Sequence, residues 1–466
     1  MDASFPEGFV WGAATSSYQI EGASGAGARG DSVWDELCRR PGKIRTGDTG
    51  KVACDHVARY GDDVELMRRI GLSAYRFSIS WPRVMPEGTG AVNESGLAFY
   101  DRLVDRLLAV GIEPYATLFH WDYPLSLHRR GGWLNPSSPA WFNEYARAVV
   151  DRLSDRVSNW MTLNEPQVFV ELGYGQGEHA PGLKLPISDR VIIAHHVLKA
   201  HGEATRTIRE RARTAPRIGW APVGMVSIPA SETPEDQEAA RARTYGVARD
   251  NLWSNTWFAD PVVLSRYPEE GLEHFGTMLP SGWERDLELI SQRIDFYGSN
   301  TYRGDVVRAG GDGLACVVPP QVGTPRSDFG WEITPTCLYW APKLLHDRYG
   351  VPILITENGM SNADWVAVDG GVHDPQRTDF LTRHLRELHR AIDDGVPVIG
   401  YFHWSLMDNF EWAEGYHQRF GLVHVDFKTQ ERTLKDSAGF YGEVIRTNGA
   451  SVLTPSRSMF QRGVHA

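Results

Sequence analysis

The feature that most restricts the fold is the alternation of short strand-like runs with longer amphipathic segments. Segments such as Ser95–Gly111 and Asp374–Gly395 repeat apolar residues at helical spacing. Between such segments, eight short runs rich in apolar and β-branched residues predict strands. These runs are Val10–Ala14, Ala74–Ile79, Pro114–Phe119, Trp160–Leu163, Ile218–Ala221, Phe296–Ser299, Ile353–Thr356 and Val398–Trp404. The alternation predicts an α/β fold built on a parallel sheet.

Two arrangements of a parallel sheet fit this pattern: a closed barrel and an open, doubly wound sheet. Eight strands favour the barrel, and no G-x-G-x-x-G motif follows the first strand, as a dinucleotide-binding open sheet would require. No Pro-, Gly- or Ser-rich linker and no internal repeat divides the chain. We therefore predict one domain over residues 1–466, a single (β/α)8 TIM barrel with extended βα loops, and interpret 183–191 and 303–329 as loop insertions.

Charge and composition exclude several classes of function. The net charge of −11 argues against a nucleic-acid partner, which requires a basic surface. No apolar run approaches the roughly 18 residues of a membrane helix. Four widely spaced cysteines, and an N-terminus without a basic segment followed by an apolar one, predict reduced thiols and a cytoplasmic location. The sequence leaves open whether the chain forms a homo-oligomer.

Two of the predicted strands end in a glutamate, in WMTLNEP (Glu165) and in ILITENG (Glu357). A buried carboxylate costs several kcal/mol unless it is paired or used. In a parallel barrel the active site forms at the carboxyl ends of the strands. The residues at or just past the predicted strand ends are Gln19, Arg76, His120, Glu165, Asn300, Glu357 and Trp404. These positions predict a ring of polar groups around one cavity.

Two carboxylates that face one cavity are the minimum needed to cleave a glycosidic bond. One protonates the leaving oxygen, and the other attacks the anomeric carbon or activates water. This division of labour requires that their pKa values differ. Arg76 and Tyr302 are candidates to keep one carboxylate ionised. The sequence pattern by itself does not say which glutamate has which role.

Ten motifs then occur in order along nearly the whole chain. They are FVWGAATSSYQIEG, YRFSISWPRVMPEGTG, FHWDYP, TLNEP, HAPG, DFYGSN, GWEITP, ITENG, SLMDNFEWAEGYHQRFGLVHVDF and KDSAGFY. In these motifs the chain resembles family-1 glycoside hydrolases, and most closely the bacterial β-glucosidases. The resemblance implies a (β/α)8 barrel that hydrolyses terminal non-reducing β-D-glucosyl residues with retention, with β-galactosyl and β-fucosyl residues as further candidates.

The resemblance also implies roles for individual residues. Glu165 matches the general acid/base, Glu357 matches the nucleophile, and Arg76 and Tyr302 match the groups that tune that nucleophile. Asn164 corresponds to the residue that binds the sugar 2-hydroxyl. The remaining substrate-binding positions that it implies are Gln19, His120, Asn300, Trp404, Glu411, Trp412 and Phe420.

Several alternatives and simpler interpretations stand beside this hypothesis. The segment EWAEGY lacks the cationic clamp of the 6-phospho-glycosidase branch, which favours an unphosphorylated β-glucoside or short β-glucan oligosaccharide as the partner. A transglycosylase and a non-catalytic sugar-binding barrel remain alternatives. We expect no metal and no cofactor. The histidines of one helix and three tryptophans are interpreted as structural: His195, His196, His201, Trp34, Trp141 and Trp253.

Overall fold

The computed structural model describes residues 4–23, 29–311 and 314–453. At its centre, eight parallel strands share one sheet. They are Val10–Ala14, Ala74–Ser78, Glu113–Phe119, Asn159–Asn164, Arg217–Ala221, Tyr297–Asn300, Ile353–Asn358 and Val398–Trp404. All eight predicted strands are confirmed, and each end lies within two residues of its predicted position.

The sheet closes on itself. The first strand pairs with the eighth, from Val10 opposite Gly400 to Ala14 opposite Trp404. The fifth and sixth strands meet through backbone hydrogen bonds, in which the amides of Asp295 and Asn300 donate to the carbonyls of Ile218 (2.7 Å) and Pro222 (3.0 Å). The predicted TIM barrel is thus confirmed over the open sheet.

Helices surround the barrel. The longer ones are Val33–Cys38, His56–Ile70, Glu94–Ala109, Ser138–Leu153, Ile187–Arg211, Pro234–Tyr245, Asn255–Leu264, Glu269–Phe275, Trp283–Ile290, Cys337–Tyr349, Pro375–Asp393 and Asp436–Arg446. Short turns of helix are Ser17–Ile20, Trp81–Val84, Leu125–His128, Gly132–Leu134, Pro166–Val168, Gly276–Met278, Trp412–Glu414 and Ala450–Leu453, and Phe169–Gln176 is a π-helix. The two predicted helices correspond to Glu94–Ala109 and Pro375–Asp393.

The interior of the barrel is a separate small core, inside the larger core between strands and helices. Its members are Ala14, Ala74, Tyr115, Met161, Ala221, Phe296, Leu354, Phe402, Trp404 and Phe420. Glycines make room for its large rings: a Cβ on Gly12 or Gly219 would lie 2.4 Å from the ring of Phe402 or Phe296. Such layers of side chains fill a barrel and leave its carboxyl-terminal mouth for a site.

The interpretation of 183–191 and 303–329 as loops is wrong in part. The helix Ile187–Arg211 begins inside the first segment. The second contains the strands Asp305–Ala309 and Ala315–Val317, which form a small sheet with Ser227–Pro229. These strands are only a few residues long. Asp305–Ala309 pairs with the distant segment Ser227–Pro229 and with the nearby Ala315–Val317, and local sequence does not reveal the distant pairing. A further antiparallel pair joins Val423–Val425 to Arg432–Leu434.

Two other expectations concern the chain as a whole. In the portion that the structure describes, no helix combines the length and the apolarity that crossing a bilayer demands. The four cysteines, Cys38, Cys54, Cys316 and Cys337, are free thiols. The assignment of 1–466 to one domain includes residues outside the described ranges and stays a prediction.

Candidate active site

A cavity of about 830 Å³ opens at the carboxyl ends of the barrel strands. Nine of the twelve predicted site residues line it: His120, Glu165, Asn300, Tyr302, Glu357, Trp404, Glu411, Trp412 and Phe420. The other three, Gln19, Arg76 and Asn164, are fully buried behind this wall. The structure therefore brings all twelve together in two layers, with nine at the wall and three as supports.

Glu357 lies in the seventh strand and is held by two donors. Its Oε1 accepts a hydrogen bond from Arg76 Nη1 at 2.5 Å, and its Oε2 accepts one from the Tyr302 hydroxyl at 2.7 Å. Burial raises the pKa of Glu357 above its ordinary value, while Arg76 and Tyr302 oppose that rise. These contacts favour the ionised form of this carboxylate.

Glu165 follows the fourth strand and has a different environment. Its Oε1 accepts a hydrogen bond from the neutral amide of Asn300 at 3.0 Å. Burial, and then the negative charge of Glu357, raise the pKa of Glu165 well above its ordinary value. Its backbone is left-handed, with φ of 44°, and Pro166 begins a short helix directly after it. Glu165 therefore keeps its proton more readily than Glu357 does, as an acid/base pair requires.

Asn164 connects the layer behind the cavity wall. Its Oδ1 accepts hydrogen bonds from Arg76 Nη2 at 2.6 Å and from Asn300 Nδ2 at 2.9 Å, and its Nδ2 lies 3.0 Å from His120 Nε2. Thr356 Oγ1 donates to Asn300 Oδ1 at 2.6 Å. This network fixes the side chains next to both carboxylates, and the contact of Asn164 with a sugar stays a prediction.

Another wall of the cavity is formed by the loop after the eighth strand. Gln19 Nε2 lies 3.0 Å from Asn409 Oδ1, 2.9 Å from the Phe410 carbonyl and 3.2 Å from Glu411 Oε2, and thereby holds this loop. Burial, and then the charge of Glu357, raise the pKa of Glu411 to about 8. Trp412 packs beside Glu411 against Trp34, with ring centroids 4.6 Å apart.

Sequence reasoning missed much of the cavity's outer part. Phe329 and Trp331 line it as an aromatic pair with centroids 4.6 Å apart, and Trp331 lies in the quoted motif GWEITP. Trp253 packs against the core, as expected, and it also lines the cavity, which sequence reasoning did not predict. Trp34 and Trp141 are buried and pack as expected. An isolated tryptophan outside any motif offers no signal that separates these cases.

The helix histidines bond to protein groups. His195 Nδ1 lies 2.9 Å from the Tyr267 hydroxyl, His196 Nδ1 2.9 Å from the Trp133 carbonyl, and His201 Nδ1 2.6 Å from Thr162 Oγ1. Over residues 4–23, 29–311 and 314–453, no three His, Cys, Asp or Glu side chains group in a way that could hold a metal ion. The structural interpretation of these histidines fits their contacts.

Two buried carboxylates with opposed environments, at the mouth of a parallel barrel, define the class of barrels that hydrolyse glycosidic bonds. The family model described as Glycosyl hydrolase family 1 matches residues 1–450. The chain belongs to glycosyl hydrolase family 1, and the family to which the motifs pointed is thereby confirmed.

Individual relatives agree with this assignment. The chain is 44% identical to Beta-glucosidase A of Thermotoga maritima, over 96% of this chain and 98% of that one. It is 41% identical to a Bifunctional beta-D-glucosidase/beta-D-fucosidase of Bifidobacterium breve, over 96% and 99%. A solved structure of the Thermotoga maritima beta-glucosidase in complex with glucoimidazole superposes with a TM-score of 0.88 at 44% identity, and covers 96% of this chain and 99% of that one.

Proposed function

We propose that this chain is a retaining β-glucosidase that removes terminal non-reducing β-D-glucosyl residues. The observation that carries the proposal is the contrast between the two carboxylates. Glu357 is bonded to the cation of Arg76 and to Tyr302, whereas Glu165 accepts its bond from the neutral amide of Asn300. The relatives named as β-glucosidases support the same substrate class.

In the first step, ionised Glu357 attacks the anomeric carbon while protonated Glu165 gives its proton to the departing oxygen. The glycosidic bond breaks, the aglycone leaves as an alcohol, and a glucosyl ester forms on Glu357. In the second step, Glu165, now ionised, takes a proton from water as the water oxygen attacks the same carbon. The ester breaks, β-glucose leaves, and both carboxylates return to their starting states.

Glu411 is the residue we propose for the sugar edge remote from the anomeric carbon. Its carboxyl group can bond two neighbouring hydroxyls of a hexose, by accepting from both when ionised or by accepting from one and donating to the other when protonated. Such a contact distinguishes epimers weakly, so β-galactosyl and β-fucosyl residues are further candidate substrates. The relative named as both a β-glucosidase and a β-fucosidase agrees with this range.

The wider setting follows from the same proposal. Two relatives carry the name 1,4-beta-D-glucan glucohydrolase, which favours short β-glucan oligosaccharides and a place in cellulose degradation. The four free thiols favour a reducing compartment, so we propose a cytoplasmic location. Cell fractionation with an antibody against the chain tests the location, and recovery with secreted proteins would contradict it.

Proton NMR of an aryl β-glucoside digest tests the mechanism. We expect β-glucose to appear first and the α anomer to follow by mutarotation. Early α-glucose would mean direct attack by water and would overturn the role of Glu357 as nucleophile. A second digest with added methanol tests for a transglycosylase, which would yield methyl β-glucoside as the main product. Binding of glucose without turnover of any glycoside would instead support a sugar-binding barrel.

A further inference from the structure

Six charged side chains gather behind the loops that follow the seventh and eighth strands. They comprise three carboxylates and three cations: Asp364, Asp374, Asp408, Arg377, Arg419 and Lys435. The side chains of all but Arg419 are fully buried. We call this group the buried charge cluster. Lys435 lies in the motif KDSAGFY, to which the mechanism above gives no role.

Lys435 joins the two loops through a carboxylate of each. Its Nζ donates to Asp364 Oδ2 at 2.6 Å and to Asp408 Oδ1 at 2.7 Å. Asp364 belongs to the loop after the seventh strand, and Asp408 to the loop after the eighth. Arg377 Nη2 also donates to Asp364 Oδ2, at 2.7 Å, and to the carbonyl of Arg419 at 2.9 Å. The cluster thus fixes one loop against the other.

Asp408 passes this constraint to the substrate-binding side of its loop. Besides Lys435, its carboxylate accepts bonds from the Gly421 amide at 3.0 Å and from Arg419 Nη1 at 2.6 Å. Gly421 follows Phe420, which lines the cavity. In the other direction, Asp408 precedes Asn409, which bonds to Gln19, and Glu411 follows shortly after. One carboxylate therefore holds both ends of the segment that carries Glu411 and Phe420.

A purely stabilising role is a poor account of this cluster. Desolvation of buried ion pairs often costs as much as their attraction returns, and apolar residues of similar volume do as well or better. In some proteins a buried network with balanced charges instead favours one fixed arrangement of the segments that it joins. Here the segments joined are those at the sugar-binding wall.

We propose that Lys435 is a positioning residue for sugar recognition, which acts by holding the Glu411–Phe420 segment through Asp408. The inference rests on the proposed function, because it assumes that Glu411 binds sugar hydroxyls. It predicts that loss of Lys435 damages recognition of the hydroxyl-bearing edge of the sugar more than it damages the chemistry at Glu165 and Glu357.

Lys435→Met tests this with two substrates, 4-nitrophenyl β-glucoside and the β-xyloside, which lacks the exocyclic hydroxymethyl group. We expect the glucoside-to-xyloside ratio of kcat/KM to fall about tenfold, mostly through KM for the glucoside. Arg348→Met is the matched control. It likewise removes the cation from a buried carboxylate, Asp260, bonded by Arg348 Nε at 2.8 Å, and neither residue lines the cavity. The control should lower the melting temperature and leave the ratio unchanged.

The double variant Lys435→Met with Asp364→Asn removes one charge of each sign. It therefore distinguishes the loss of loop positioning from the loss of stability that an unpaired buried charge causes. We expect it to melt at a higher temperature than Lys435→Met while its glucoside-to-xyloside ratio stays low. If Lys435→Met does not fold, the double variant alone gives the ratio. A wild-type ratio in either folded variant would overturn the inference. Wild-type protein inactive on both substrates would instead overturn the proposed function, and this inference with it.

Discussion

The inner and outer ends of the cavity are built in different ways. At the inner end Arg76, Asn164 and Gln19 are fully buried and bonded to the side chains that face the cavity. At the outer end Arg243 and Arg303 share Asp305, as partly exposed side chains on a helix, a loop and a short strand outside the barrel. This contrast supports our proposal that the barrel fixes the groups that act on the glucosyl unit, while less constrained segments meet the aglycone.

The largest effect at the inner end is expected from removing Glu357, the proposed nucleophile. Glu357→Gly should lose on the order of 10³-fold or more in kcat on every substrate, because covalent catalysis is lost altogether. Assays with one activated and one unactivated glucoside measure this. The melting temperature serves as a control for folding. Full activity of the variant on an aryl glucoside would contradict the assignment of Glu357.

Glu165→Gln should show a loss that depends on the leaving group. Unactivated alkyl glucosides need a proton donor and should lose about 10²-fold or more, whereas dinitrophenyl glucosides barely need one and should lose far less in the first step. A plot of log kcat/KM against leaving-group pKa should therefore be steeper for the variant. Equal losses across the series would show that Glu165 is not the acid.

The same pair predicts the pH dependence of kcat/KM. Activity should fall at low pH, where Glu357 becomes protonated, and at high pH, where Glu165 loses the proton that it must donate. Because burial and the charge of Glu357 raise the pKa of Glu165 well above its ordinary value, the basic limb should lie above the range of ordinary carboxylates. Glu165→Gln should abolish that limb with an activated substrate. A flat profile from about pH 4 to 9 would count against the pair.

Sequence predicted the inner end better than the outer end for a physical reason. Glu165 and Glu357 were found because each ends an apolar run, and barrel geometry places such ends at one mouth. The bond from Gln19 to Glu411 joins residues 392 positions apart, and no local pattern encodes it. Gln19 was predicted from its place past a strand end and from the family motifs, and Glu411 from the motifs alone, but the bond between them was not predicted. Trp253 lies outside those motifs, and its place in the cavity depends on how long loops fold back over the barrel.

Glu411→Gln tests whether the buried carboxyl group of Glu411, which we propose binds the sugar, lowers the stability of the folded protein. The pKa of Glu411 in the folded protein is about 8, against an ordinary value of 4.5. As pH rises through that interval the unfolded chain ionises first, so the wild type loses stability. The variant should therefore melt higher by a few degrees above pH 8, with the gain vanishing near pH 4. It should also lose glucoside affinity. Calorimetric scans across this range measure the difference, and a constant difference would contradict the assigned shift.

The smallest effect is expected at the outer end. Trp253→Ala removes an aromatic wall, so it should change kcat/KM by a few-fold for some aglycones and not for others. The rate of hydrolysis of the glucosyl-enzyme should not change, because the aglycone has left by then. Trp365→Ala is the matched control, since that side chain is 71% exposed and does not line the cavity. The contrary outcome is that Trp253→Ala lowers kcat/KM by the same factor for every aglycone. That result would mean that the two ends of the cavity are coupled. The barrel alone would then not account for the fixed geometry around the glucosyl unit.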